Sequence, residues 1–192
     1  MALFETKEIG LKENDQDGLF TDDEAEDFVI CKNPEKLQQL LKLIAPGKAV
    51  HYVSDGDWSM HDMIMQLLKT YCPAELFITT YALREFSVRQ LINAQDSGEL
   101  SSVNMILDYR AKVRTPEVFQ LASNNLNKIC LYGIHAKVTV LKHSAGCISI
   151  VGSANWTTNP RVECGVVSMN AQLGDFHINW IKKIMDNAEI FG

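Results

Sequence analysis

Residues 133–167 read GIHAKVTVLKHSAGCISIVGSANWTTNPRVECGVV. Apolar residues recur at every second position from Ile134 to Val140, the period of a strand, and a second apolar run covers Cys147–Val151. His135 and Lys137 are two apart, so on a strand both project from one face, and Ser153 and Asn155 repeat that spacing. Ser144-Ala145-Gly146 lies between the runs, and a three-residue hairpin loop with glycine in its left-handed third position is a favoured connection. This loop sets His143 opposite Cys147, Lys137 opposite Ser153 and His135 opposite Asn155. An imidazole, an ammonium, a hydroxyl and a carboxamide then share one face. The reverse face places Ala136, Val138 and Val140 beside Ala154, Gly152 and Ile150, apolar throughout. A two-residue turn would slip the pairing by one and split the four polar groups between faces.

Outward from this hairpin, apolar β-prone runs alternate with amphipathic ones. The pattern predicts a helix over Glu35–Leu43, a strand over Ala49–Ser54, a helix over His61–Tyr71 and a strand over Glu75–Tyr81. It continues with a helix over Glu85–Ala94, a strand over Val103–Tyr109 and a helix over Pro116–Ala122. The strand region Ile129–Leu141 breaks near Gly133, a strand follows at Cys164–Ser168, and a helix at Phe176–Asn187 closes the chain. Such alternation predicts α/β layers around a partly parallel sheet.

A chain of 192 residues suits one domain. No stretch approaches the length of apolar sequence that a membrane span needs, and Met1–Gly10 has no apolar core of a secretory signal, so we expect a cytoplasmic protein without a membrane partner. Five cysteines (Cys31, Cys72, Cys130, Cys147, Cys164) without paired short spacing read as reduced thiols, and no metal or cofactor is expected. Ten acids against Lys7 and Lys12 give residues 1–30 a net charge of −8, so of the total −6 the remaining residues carry +2. Residues 1–30 thus read as an acidic arm and 31–192 as the domain. The arm is either a solvated segment without fixed structure or a phosphate mimic over a basic groove.

His-x-Lys, then Gly-Ser-x-Asn, then Glu163 before a valine-rich strand resembles the signature of the phospholipase D superfamily. The strands AELFITTYAL and SSVNMILDYR are also similar to that family's pattern, so the resemblance covers about three quarters of the chain, excluding the arm and first helix. It implies a mixed β-sheet flanked by helices, in a single α/β domain with one active-site motif per chain. It also implies metal-independent phosphodiester hydrolysis, with His135 attacking phosphorus to give a phosphohistidine. Lys137 and Asn155 would hold the nonbridging oxygens, Ser153 would contribute a hydroxyl, Gly152 would allow close backbone approach, and Glu163 would orient His135. With one motif per chain, the second histidine must be His135 of a twofold-related copy, hence a homodimer. The family places Asp after four residues beyond the lysine; this chain has Lys142 there.

Tyr81 and the stretch from Asp108 to Arg110, at the ends of predicted strands, are candidates to line a substrate groove, since ligands gather beyond strand ends in α/β sheets. Trp156 reads as a packed anchor or, less simply, as a base-stacking surface. Nucleic acid is the expected substrate if Lys112, Arg114, Lys128 and Lys137 form a local basic groove. The alternative is a catalytically silent nucleic-acid-binding or dimerisation module, suggested by Lys142 and the acidic arm. A lipid substrate ranks third, because no amphipathic membrane-facing segment is apparent.

Overall fold

A computed structural model of the chain describes residues 20–22, 26–31, 34–56, 58–158, 160–188 and 190–191. The strand-like runs join one sheet. Its members are β1 (Phe20–Asp22), β2 (Glu26–Cys31), β3 (Ala49–Ser54), β4 (Ala74–Thr80), β5 (Leu100–Asp108), β6 (Lys128–Tyr132), β7 (Val138–His143), β8 (Gly146–Gly152), β9 (Glu163–Met169) and β10 (Ile190–Phe191). Their order in space is β1-β2-β3-β9-β8-β7-β4-β5-β6-β10. β2–β3 and β4–β5–β6 pair in parallel, and the remaining neighbours are antiparallel. This is the mixed α/β sheet that the alternation implies.

Among the described residues six helices cover it: α1 (Pro34–Leu43), α2 (Met60–Tyr71), α3 (Glu85–Asp96), α4 (Arg110–Arg114), α5 (Pro116–Asn125) and α6 (Ala171–Met185). α2 opens on a reciprocal cap in which the Ser59 hydroxyl accepts from the Asp62 amide and the Asp62 carboxylate accepts from Ser59 N–H. α6 begins at Ala171 rather than Phe176 because the Asn170 side chain caps it by accepting from Leu173 N–H. α4 carries no periodic signal at its length. β1 and most of β2 fall within the acidic segment, so the sheet starts before residue 31; residues 1–19 of that segment lie outside the described residues.

Alternation along the strands divides the core into two layers. Leu76 and Ile78 of β4, Met105 and Leu107 of β5, and Ile148 and Ile150 of β8 face a large apolar layer with Leu37 and Leu40 of α1, Ile64 and Leu68 of α2, Leu91 of α3 and Phe119 of α5. Phe77, Ile106, Cys130, Val138, Val140 and Cys147 face the other way, onto Ile178, Ile181 and Met185 of α6. Burial pushes the Cys130 thiol up to about 11, and it also raises that of Cys147. No described helix is long and apolar enough to cross a membrane.

α6 reaches the sheet through a missing side chain. Gly174 is buried, and a Cβ there would run into the Cβ and Sγ of Cys147 on β8. Gly174→Ala therefore sets a helix-propensity gain of about 1 kcal/mol against an overpacking cost of about 1–3 kcal/mol. The contact is with a neighbouring strand near its backbone, so packing wins. We expect a net loss of stability in urea unfolding, and an unchanged or raised midpoint would show that α6 shifts outward at little cost.

Candidate active site

β3, β4, β5, β6 and β8 all run toward one end of the sheet, where β7 and β9 begin. The loops at that end carry the residues singled out by sequence. How they converge differs from the expectation. The β7–β8 hairpin pairs His143 with Gly146 and Lys142 with Cys147, which leaves a two-residue turn, Ser144-Ala145. Gly146 still marks the hairpin, but as the first paired residue, at φ 141°, in the region that favours glycine. The register is accordingly one residue away from the predicted one. Thr139, not Val140, lies beside Ile150, and Gly152 N–H donates to the Lys137 carbonyl at 3.2 Å. The last ladder pair is Val138 with Val151, and His135 does not sit opposite Asn155 on a continuous ladder.

Instead, two peeled segments are brought together by the end of β4. The Thr79 hydroxyl donates to the Ala136 carbonyl at 3.1 Å and accepts from Val138 N–H at 3.0 Å, so it holds both sides of Lys137. Asp108, at the end of β5, accepts from Arg110 N–H at 3.1 Å and lies near the backbone of Ile134, at the start of the same segment. Beside it, the Thr80 hydroxyl accepts from Trp156 N–H at 3.3 Å, and its proton lies between the Ala82 carbonyl (2.9 Å) and Asn155 Oδ1 (3.2 Å). Tyr81 N–H donates to Asn155 Oδ1 at 3.1 Å. A backbone N–H can only donate, so this bond fixes the carboxamide with its oxygen inward and frees its NH₂ as donor.

His135 is exposed, and its ring meets the Tyr81 ring edge-on at 5.3 Å. Lys137 Nζ donates to the His135 carbonyl at 2.7 Å and lies 3.5 Å from His135 Nε2. Burial pulls the Lys137 ammonium below the ordinary lysine range, and the carboxylate of Glu163 partly restores it. Glu163 accepts the hydroxyl proton of Ser153, whose oxygen accepts from Cys164 N–H at 3.0 Å. The expectation gives Glu163 the task of orienting His135; in the structure its carboxylate accepts from the Ser153 hydroxyl. Gly152 has a different close neighbour from the one expected. A Cβ there would lie 2.6 Å from the Cys164 carbonyl and 3.1 Å from Gly165 Cα, so the glycine serves the contact between β8 and β9.

Arg110 is held by Asp108 through two bonds, Nε to Oδ1 at 2.6 Å and Nη2 to Oδ2 at 3.2 Å. That guanidinium keeps the Asp108 carboxyl below the usual range despite its burial. Arg110 also lies over the Tyr81 ring, 4.5 Å from its centroid. The expected basic groove is only partly assembled. Arg114 donates to the Tyr81 hydroxyl at 3.0 Å and, with Lys137, borders that ring. Lys112 instead lies over Phe119 and Phe191, and Lys128 is 3.9 Å from Asp186. Trp156 is buried and its indole donates to the Thr139 hydroxyl at 3.1 Å, the packed anchor rather than a stacking surface. His61 is also buried, between the hydroxyls of Ser59 and Ser87, and burial lowers its pKa.

The sequence reading misses Thr79 and Thr80, and it takes Asp108 to Arg110 as a groove lining where Asp108 instead holds Arg110. Their signal was present as polar residues ending otherwise apolar strands, TT after LFI and D after MIL.

This architecture is the phospholipase D-type fold. By structure the chain is similar to Nuc, a phospholipase D family member from Salmonella typhimurium, at 13% identity and a TM-score of 0.59, over 75% of this chain and 99% of Nuc. It is similar to NucT from Helicobacter pylori at 16% identity and a TM-score of 0.54, over 73% of this chain and 98% of NucT. TrmBL2, an archaeal chromatin protein with a novel mode of DNA binding, matches at 10% identity and a TM-score of 0.50, over 81% of this chain and 60% of TrmBL2. Comparison of the sequence with protein-family models and with curated proteins gives no match.

Two substitutions test these anchors. Thr79→Val keeps the shape but strips both bonds and leaves Val138 N–H without an acceptor, so we expect a loss of about 1–3 kcal/mol in chemical denaturation; a change within error would mean the segment is held elsewhere. Arg110→Gln addresses Asp108. A carboxyl with a depressed folded pKa stabilises the fold above its unfolded value near 4, and this is lost as pH falls through the folded value. Removing the guanidinium raises the folded value, so acid unfolding followed by circular dichroism should begin at higher pH in the variant.

Proposed function

We propose that the protein is a metal-independent phosphodiesterase acting on nucleic acid, with its active centre formed between two copies of the chain. The observation that carries this reading is the convergence of His135, Lys137, Ser153 and Asn155 at one end of the sheet, with the imidazole exposed and the carboxamide NH₂ free to donate. A phosphodiester anion needs positive charge and donors on its nonbridging oxygens, which Lys137 and Asn155 Nδ2 supply. His135 attacks phosphorus, a P–N bond forms, and the P–O bond to the leaving group breaks as that oxygen takes a proton from a second imidazole. The same second imidazole then removes a proton from water, which attacks phosphorus and releases His135.

His61 is too buried to be that second group, so His135 of the other copy takes the part. Exposed apolar side chains at the same sheet end support such an approach: Tyr109 and Tyr132, 6.5 Å apart between rings, and Val113 and Val162. Glu163 fixes the Ser153 hydroxyl and adjusts the charge of Lys137. The DNA binding of TrmBL2 favours a nucleic-acid substrate.

The second reading, a silent binding or dimerisation module, drew on Lys142. In the structure Lys142 is paired with Cys147 beside the hairpin turn and with Glu75 on β4, at the end of β7 away from the cluster. The departure takes no group from the candidate centre, and hydrolysis remains the better-supported reading.

Turnover of bis-p-nitrophenyl phosphate and of single-stranded DNA or RNA in EDTA tests the proposal. We expect metal-independent hydrolysis that His135→Asn lowers by more than about 1,000-fold. When wild-type and His135→Asn chains are allowed to exchange, activity should fall as the square of the wild-type fraction. A proportional fall would place a complete centre in each chain, and no turnover by folded protein would favour the silent module.

A further inference from the structure

Three cations surround one aromatic ring beside the candidate centre. The Tyr81 ring centroid lies 4.5 Å from Arg110 Cζ, 5.7 Å from Arg114 Cζ and 5.9 Å from Lys137 Nζ. All fall within the roughly 6 Å at which an aromatic face attracts a cation. Arg110 is paired with Asp108, and Glu163 favours the charge of Lys137; among the described residues Arg114 forms no ion pair. The protein carries a net charge of −6, yet at this ring three cations meet two carboxylates, Asp108 and Glu163, so positive charge is in excess. Mutual repulsion of exposed cations is offset here by the ring and by a hydrogen bond to the Tyr81 hydroxyl, which leaves the outer guanidinium edges free.

We propose that Arg114, backed by Arg110 and mounted on Tyr81, forms a second phosphate subsite that takes the phosphate adjoining the reacting one in a single-stranded nucleic acid. The proposal deepens the nuclease reading and shares its assumption that the reacting phosphate sits at His135 and Lys137. A substrate with a single phosphodiester is answered by Lys137 and Asn155, whereas a strand presents a second charge a few ångströms on. The planar guanidinium of Arg114 has donors left for phosphate oxygens after its bond to Tyr81. The subsite is also fixed relative to the centre, because the backbone N–H of Tyr81 holds Asn155 Oδ1 while its ring touches His135. One residue therefore sets the distance between the two phosphate positions.

Binding of a fluorescein-labelled single-stranded octadeoxythymidylate, followed by anisotropy in EDTA across a salt series, tests the subsite apart from catalysis. Arg114→Gln should weaken binding about tenfold at low salt and make the slope of log K against log salt shallower by about 0.7, one phosphate contact on a single strand. Arg114→Lys should keep the slope. Lys112→Gln removes the same charge from the same helix but away from Tyr81, and should change the affinity less than about twofold. Equal losses for Arg114→Gln and Lys112→Gln, no loss for either, or no binding by the wild-type chain would overturn the subsite. Intact binding with no turnover of bis-p-nitrophenyl phosphate would instead sink the hydrolase reading and leave the subsite standing.

Discussion

Two neighbouring hydroxyls at the end of the central strand β4 are the constraint on which the candidate centre depends. Thr79 clasps the segment that carries His135 and Lys137, and Thr80 clasps the segment that carries Asn155 and Trp156. Both segments have left the sheet ladder and would otherwise have backbone groups in need of partners. The side chains of β4 replace the ladder for them. Because adjacent strand residues point to opposite faces, two successive threonines can serve two different segments. Tyr81, the next residue, completes the set by fixing the orientation of the Asn155 carboxamide.

The electrostatics follow from the same placement. Lys137 is drawn into a half-buried position by its bond to the His135 carbonyl, and burial makes its charge less favourable. Glu163 offsets this from the far side while its carboxylate is occupied by Ser153. A cation that is only partly compensated attracts an anion more strongly than one satisfied within the protein.

Much of the fold was legible in the sequence, since period-two runs such as AVHYVS and AELFITT became strands at or near the expected residues. β1, β2 and β10 were not, because β2 opens on two acids that continue the acidic segment and β1 and β10 are too short for any period to register. The motif residues lie at one end of the sheet, but not through the hairpin register expected for them. Gly146 was read as a loop residue when it is the first of a strand, a difference of one position that a glycine's permissive backbone conceals. A hairpin register cannot be checked by apolar patterning when both faces of its strands are buried, as they are along β7, where Val138, Thr139, Val140 and Leu141 are all inside. Hydroxyl anchors such as Thr79 were illegible for another reason: their partners are backbone groups, which carry no sequence signature.

Anchoring by side chains instead of by ladder pairing also bears on how such a site can vary. The turn Ser144-Ala145 lies at the opposite end of β7 and β8 from His135 and Asn155, and both residues are tied to β4 rather than to each other. A change in the length of that turn alters which residues pair in the hairpin without loosening either tie. The chemistry is thereby insulated from insertions and deletions at the far end of the sheet, whereas a single exchange of Thr79 or Thr80 reaches it directly.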